Sequence, residues 1–372
     1  MNPNPGAVTT SDMLFLEAAI ELAEAGRMSC APNPTVGCII TRSGDIIGRG
    51  FHRRAGEAHA EVEAIADAGG DVAGATVYVS LEPCSFEGRT PACAQTLIDH
   101  AVSRVVVGTV DPNPRVAGAG VNMLQQAGVR VDVVDLPSAA RSIAGFAKRM
   151  GTGLPWVRLK SAASLDGALA LASGESKWLT GTLARQDVQY WRARSDAILT
   201  GVGTLIEDDP QLNVRAPDLL AQGVKQPLRV LLDSRLRAPA DRKMLGDGAP
   251  TLVVHDAEVA APEGGPPDDP LQYLALADGT RDLRSILAHL GGLGCNEVLV
   301  EGGSSLLGSF VEQGLWDEWV HYLAPKLLGS DSLNMVQLNV PLLSSAPNVQ
   351  IADACPLGPD LRLTLVREED NV

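Results

Sequence analysis

Aromatic residues are scarce in this chain, making up 4% of its 372 residues. Its cores must therefore be filled by Ala, Val and Leu rather than by stacked rings. No basic run occurs, and the formal net charge is −15. This argues against non-specific nucleic-acid binding, which rests on clustered Lys and Arg. An anionic ligand can still be held, but only by local Arg and Lys and by backbone amides. No apolar run reaches the ~18 residues that a membrane span needs. Met1 to Ser11 show neither a basic n-region nor an apolar h-region, so no signal peptide is expected. Six cysteines, at 30, 38, 84, 93, 295 and 355, form no dense disulfide framework. A reducing, cytoplasmic setting is expected, with Cys30, Cys38, Cys295 and Cys355 packed as small apolar residues.

At this length two domains are expected, and 45% hydrophobic residues supply material for two cores. Gly151-Thr152-Gly153-Leu154-Pro155 punctuates the chain and divides it into residues 1–150 and 151–372. In the first part, apolar residues at helical spacing predict a helix over Asp12 to Ala25. Ser43-Gly44-Asp45 predicts a hairpin between Gly37–Thr41 and Ile46–Ile47. Helices are expected over Glu61–Ala68 and Pro91–His100, strands over Thr76–Leu81 and Arg104–Val110. Cys93 then sits in a first helical turn, where the dipole favours a thiolate. This alternation predicts a three-layer α/β domain. The second part repeats α/β alternation. Strands are expected over Trp156–Lys160, Ala197–Thr200, Leu228–Asp233, Leu252–His255 and Glu297–Glu301, with a helix over Thr182–Arg194. Asp256 to Asp269, rich in Pro, Gly, Asp and Glu, reads as a surface loop.

The richest chemistry lies in His59-Ala60-Glu61, Glu82-Pro83-Cys84 and Cys93. One imidazole and two thiols make the three-ligand set of a catalytic zinc site, which keeps a fourth position open for water. Glu61 is placed to shuttle protons. The order His-x-Glu, then Pro-Cys and a second Cys, follows the zinc-dependent nucleobase deaminases. Eight residues separate the cysteines here, where many such enzymes have two. A closed structural zinc site would need a fourth ligand. His52 and His100 are the nearby histidines, neither stands at a tight ligand spacing, and Glu61 would then have no role. Asn33-Pro34-Thr35-Val36-Gly37 offers an amide suited to a pyrimidine edge, although Asn33 reads equally well as a turn residue. His52 and Glu57 are further pocket candidates.

Several segments occur in order: Pro32 to Gly37, His59-Ala60-Glu61, Glu82-Pro83-Cys84-Ser85, Gly88-Arg89-Thr90-Pro91 with Cys93, and Asp111-Pro112-Asn113-Pro114. Together they resemble the deaminase half of the RibD family, the bifunctional deaminase–reductases of riboflavin biosynthesis. The resemblance implies that His59, Cys84 and Cys93 bind zinc and that Glu61 moves protons. It also implies a substrate, a diaminopyrimidinone carrying a phosphoribosylamino group. Phe86 stands where the family usually has His, which bears on a substrate contact and not on the metal.

By its residues alone, the second half offers Glu301-Gly302-Gly303-Ser304-Ser305 between a strand and a helix, a weak phosphate-binding signal. Arg185 and Arg192, seven apart, share one helix face, which reads as a solvated face. Lys160 to Gly167, Ser173 to Trp178, Asp208-Asp209-Pro210, Leu212 to Arg215, Asp233-Ser234, Glu301 to Gly303 and Ala324 to Gly329 resemble the reductase half of the same family. That resemblance implies a dihydrofolate-reductase-like α/β fold and NADPH as cofactor. Ala162, Trp178, Thr204, Asp208, Ser234, Gly302, Gly303, Ser304 and Ser305 would line the cofactor site. Ser176, Arg192, Leu212, Arg215 and Glu301 would hold the substrate, the arginines on its phosphate. Lys160 and Asp208 would handle protons. Ala168 and Gly181 depart from the family's usual Arg and Ser.

The expected architecture is thus a cytidine-deaminase-like three-layer α/β/α domain followed by a reductase domain, acting in sequence on a small phosphorylated pyrimidine with Zn²⁺ and NADPH. No nucleic acid or membrane partner is expected, and homo-oligomerisation is left open. Two competing readings are a base deaminase with a nucleic-acid-binding second half, which the charge disfavours, and a non-enzymatic nucleotide sensor.

Overall fold

The computed structural model describes residues 8–86, 91–262 and 269–367. The Gly88-Arg89-Thr90 part of one motif lies outside the described residues, as do positions 263–268 of the expected loop. The chain divides into two compact units, Met1–Gly153 and Leu154–Val372.

The first unit is a five-stranded sheet between helices. Its strands are β1 Gly37–Arg42, β2 Asp45–Phe51, β3 Thr76–Val79, β4 Arg104–Val107 and β5 Arg130–Val133, in the order β2-β1-β3-β4-β5. The helices are α1 Thr10–Ala23, α2 Ala60–Asp67, α3 Cys93–Asp99, α4 Ala119–Gln126, α5 Pro137–Ser142 and α6 Ala144–Thr152. β1 is antiparallel to β2 and β3, whereas β3, β4 and β5 run parallel. One face buries Cys38, Ile40, Ala64, Val77, Val79, Leu97 and Val105. The other buries Leu16, Ile39, Tyr78, Val106 and Ala139. Alternation along each strand thus makes two apolar faces, each needing its own layer of helices. Gly50 lets α2 lie flat on β2, because a Cβ there would fall 2.2 Å from the Ala60 carbonyl oxygen. Gly151 and Thr152, read from sequence as part of a junction, continue α6. The helix ends at Gly153, whose φ of 76° suits glycine at a helix C-terminus.

The second unit contains β6 Trp156–Ser164, β7 Ala168–Ala170, α7 Thr182–Ala193, β8 Ala197–Gly201, α8 Val202–Asp208, α9 Pro217–Ala221, β9 Leu228–Leu232, α10 Lys243–Gly246, β10 Thr251–Asp256 and β11 Leu271–Leu276. It continues with α11 Leu283–Gly292, β12 Glu297–Glu301, α12 Ser304–Glu312, β13 Glu318–Ala324, β14 Leu333–Asn334, β15 Val349–Leu357 and β16 Asp360–Arg367. The nine-stranded sheet has the order β11-β10-β9-β8-β12-β6-β13-β16-β15. It is parallel from β11 to β13 and ends in the antiparallel β16 and β15. β12 returns from the far edge to lie between β8 and β6. The chain therefore leaves a crevice at the carboxyl ends of β8 and β12, where open parallel sheets receive ligands.

Candidate active sites

In the first unit, His59 caps α2 and Cys93 opens α3, while Cys84 lies between β3 and α3. One ligand atom from each falls within 4.8 Å of the other two. His59 Nδ1 is 3.2 Å from Cys93 Sγ and 3.6 Å from Cys84 Sγ. A tetrahedral zinc with ordinary Zn–N and Zn–S bonds holds such atoms ~3.6 Å apart, so the donor set fits zinc. The amide of Cys93 donates to Cys84 Sγ at 3.3 Å. The N-terminal amide of α3 thus serves the sulfur of Cys84, not that of Cys93. The hydrogen bonds from Cys93, with His59, hold the Cys84 thiol down at about 4 against the cost of burial. Cys93, facing that thiolate, is pushed upward.

Glu61 is 3% exposed, in the first turn of α2. Burial first, and then the nearby Cys84 sulfur, raise its carboxyl above the usual range. A carboxylate whose proton affinity is raised in this way suits general acid–base work. The three-ligand site opens on a cavity of about 470 Å³ lined by Asn33, His52, Glu57, His59, Glu61, Glu82, Cys84, Phe86, Asp111, Asn113 and Phe146 among others. Asn33 Nδ2 lies 3.0 Å from His52 Nε2, and His52 Nδ1 lies 3.0 Å from the Ala58 carbonyl. With Nδ1 donating to Ala58, His52 accepts from Asn33 and sets its amide. Phe86 faces the cavity, with the Arg115 guanidinium 5.3 Å from its ring centroid. Sequence reasoning gave no role to Glu82, Asp111, Asn113 or Phe146. The first three lay inside quoted motifs, which was the available signal, and Phe146 had none.

The second unit has a cavity of about 940 Å³ at the carboxyl ends of β8, β9 and β12. Thr204, Asp208, Ser234, Gly303, Ser304, Ser305 and Ser176 line it, whereas Ala162, Trp178 and Gly302 do not. Trp178 is 63% exposed and carries the Arg185 guanidinium 4.7 Å from its ring centroid. α12 begins at Gly303 with no side-chain cap, so its first amides face the cavity without a partner side chain. That arrangement fits the phosphates of a dinucleotide. Arg237 and Arg281 also line this cavity and were missed, since isolated exposed arginines carry no sequence signal.

A buried charge cluster adjoins β6 and β12. Arg192 grips Glu301 through two bonds, Nε to Oε1 at 2.6 Å and Nη2 to Oε2 at 3.0 Å. Lys160 Nζ lies 3.9 Å from Glu301. Burial lowers the Lys160 ammonium from its usual value although Glu301 opposes it. Burial would raise Glu301, but Arg192 and Lys160 bring it below the usual range. Arg215 is exposed, and burial of part of its side chain together with Arg192 lowers it. The guanidinium of Arg192, expected on a substrate phosphate, is thus committed to Glu301. Leu212, expected at the substrate, is 2% exposed and packs its side chain in the core.

Two family models match the chain. Residues 9–109 match the cytidine and deoxycytidylate deaminase zinc-binding region, and residues 155–363 match the RibD C-terminal domain. Zinc-binding deaminase and reductase are therefore the two classes that fold and site define. The chain is 42% identical to the riboflavin biosynthesis protein RibD of Escherichia coli over 367 residues, covering 95% of this chain and 99% of that protein. It is similar to the solved Acinetobacter baumannii RibD, with a TM-score of 0.87, 42% identity, and coverage of 96% and 99%. A Thermotoga maritima diaminohydroxyphosphoribosylaminopyrimidine deaminase/5-amino-6-(5-phosphoribosylamino)uracil reductase aligns with a TM-score of 0.86, 31% identity and the same coverage. The chain belongs to the RibD family of bifunctional deaminase–reductases of riboflavin biosynthesis, with zinc and NADPH as cofactors. Among the described residues no helix is long and apolar enough to cross a membrane.

Proposed function

We propose that the first unit removes the 2-amino group of 2,5-diamino-6-(5-phosphoribosylamino)pyrimidin-4(3H)-one and releases ammonia. The second unit then reduces the ribosyl side chain of 5-amino-6-(5-phosphoribosylamino)uracil to ribityl. The observation that carries this reading is the three-ligand cluster beside the buried carboxylate of Glu61. His59, Cys84 and Cys93 hold zinc, which supplies the Lewis acidity that makes water a nucleophile near neutral pH. Glu61 accepts one proton from the attacking water and delivers it to the ring nitrogen, then carries a second proton, from the hydroxyl so added, to the leaving amine. Asn33, set by His52, reads the pyrimidine edge.

In the second unit, the amides at Gly303, Ser304 and Ser305, with Thr204, Asp208 and Ser234, hold NADPH, which supplies the hydride. Ala162, Trp178 and Gly302 belong to the same assignment, although none of them lines the cavity. Lys160, with a lowered proton affinity, protonates the ribose ring oxygen as the ring opens, and Asp208 is the second proton handler. Arg215 carries the substrate phosphate, Arg192 orients Glu301, Ser176 borders the sugar, and Leu212, its side chain in the core, offers only its backbone. A cytoplasmic setting belongs to this reading. Incubating the zinc-loaded protein with the diaminopyrimidinone, with and without NADPH, tests it by product mass. Ammonia release with a gain of about one mass unit is expected without NADPH, and a further gain of about two mass units with it. No mass change in either incubation overturns it.

A further inference from the structure

The Glu82 carboxylate is 3% exposed and accepts four backbone N–H groups from one later segment of chain. Oε2 receives Asp111 at 3.1 Å and Gly118 at 2.8 Å. Oε1 receives Gly120 at 2.8 Å and Val121 at 3.1 Å. Gly120 and Val121 lie in the first turn of α4, whose own N-terminal residue, Gly118, has no capping side chain. An anion there satisfies the first amides of the helix and its positive end. α4 is also pressed against the residue after Glu82. A Cβ at Gly120 would fall 1.9 Å from the Pro83 carbonyl oxygen.

The segment so held is the one that lines the deaminase cavity with Asp111, Asn113 and Val116. It is tied within itself as well. The Asn113 amide donates to Asp111 Oδ1 at 2.8 Å, and the Val116 amide donates to the Asn113 carbonyl at 2.8 Å. The segment is thus tied within itself and, through its backbone amides, to Glu82, two residues before the metal ligand Cys84. We infer that Glu82 is a positioning residue of the deaminase: it fixes the Asp111–Val116 wall of the cavity in register with Cys84.

Glutamine separates this role from simple space-filling. Each carboxylate oxygen faces two N–H groups, so whichever way the amide turns, its NH₂ meets two donors and two hydrogen bonds are lost. The inference rests on the pyrimidine deamination proposed above. The test is steady-state deamination by the full-length, zinc-loaded Glu82→Gln and Asn113→Ala variants and their double variant, with zinc content and NADPH-dependent reduction measured on the same samples. Glu82→Gln should keep its zinc and its reductase rate and raise the deaminase KM by ~10-fold or more, with a smaller change in kcat. Asn113→Ala should raise KM in the parent and have little further effect in the Glu82→Gln background, because the wall that carries it is already displaced. Parental KM in zinc-loaded Glu82→Gln, fully additive effects, or loss of zinc from that variant would each overturn the inference. Should Glu82→Gln not fold, Gly120→Ala, which pushes α4 off Pro83, should show the same KM rise, and a parental KM there overturns it. A parent that deaminates normally but is indifferent to Asn113→Ala also overturns it, whereas a parent that does not deaminate the pyrimidine refutes the function instead.

Discussion

The N-terminal cavity is small and lined by side chains that carry the chemistry, whereas the C-terminal cavity is twice as large and mixes Gly and Ser with apolar and charged residues. The first must hold a metal and a carboxylate at fixed atoms, so it concentrates thiol, imidazole and acid in three adjoining segments. The second must accommodate a long dinucleotide, so it offers open amides and little side-chain volume. Asp208, Arg237 and Arg281 stand on its wall, and a buried Arg192–Glu301–Lys160 cluster lies on and beside the sheet. The difference teaches that a metal site localises function in a few side chains, while a dinucleotide site distributes it along the backbone.

If that contrast is right, single substitutions should be decisive in the first unit and graded in the second. Cys84→Ser should abolish both zinc content and deamination while reduction continues, as measured by metal analysis and the two assays on one preparation. Retained metal and activity would remove Cys84 from the ligand set. Glu61→Gln should keep zinc and lose ~10²-fold or more in deaminase kcat. Loss of metal would make Glu61 a support of the site instead of a proton carrier.

In the second unit, Arg192→Ala leaves the buried Glu301 carboxylate with only the longer Lys160 ion pair at 3.9 Å, and should cost about 3 kcal/mol in urea unfolding. A variant as stable as the parent would show that Glu301 does not depend on Arg192. His321 gives a pH test. Burial, and then the positive charge of Lys160, lower it to about 4, and Ser161 Oγ lies 2.8 Å from its Nδ1. The unfolded imidazole takes up a proton near 6.5, and the folded one only near 4. Stability is therefore complete above about pH 6.5 and falls by up to ~3 kcal/mol as pH drops to about 4. His321→Asn should flatten that slope in melts across the window; an unchanged slope would assign it to other groups. The smallest effect is expected at Arg215→Ala, which should weaken substrate binding by ~1.5–3 kcal/mol through lost charge-assisted hydrogen bonds. Stability and NADPH affinity should change little. A large loss of NADPH affinity, read by its fluorescence, would place Arg215 on the cofactor.

Element positions were legible where periodicity was strong. α1, the β1–β2 hairpin, α2 and α7 stand within a few residues of where apolar spacing and turn residues predict them. β3 and β4 are shorter than the predicted Thr76–Leu81 and Arg104–Val110, the last regular pair being Val79 with Val107. The junction was legible only as punctuation, since Gly151 is compatible with a helix that Gly153 ends.

From the sequence alone came the candidate zinc ligands and Glu61, because metal ligation uses side chains of unmistakable type that lie close along the chain. Tertiary structure decided what those residues stand on. Glu82 meets amides 29 to 39 residues later, and Arg192 meets Glu301 109 residues later. Neither pairing has a local signature, since any buried carboxylate seeks donors and the fold chooses which arrive. The cofactor cavity exists only because β12 inserts between β8 and β6. Strand order in a parallel sheet is set by long crossovers and shared apolar faces, which no short stretch of sequence encodes.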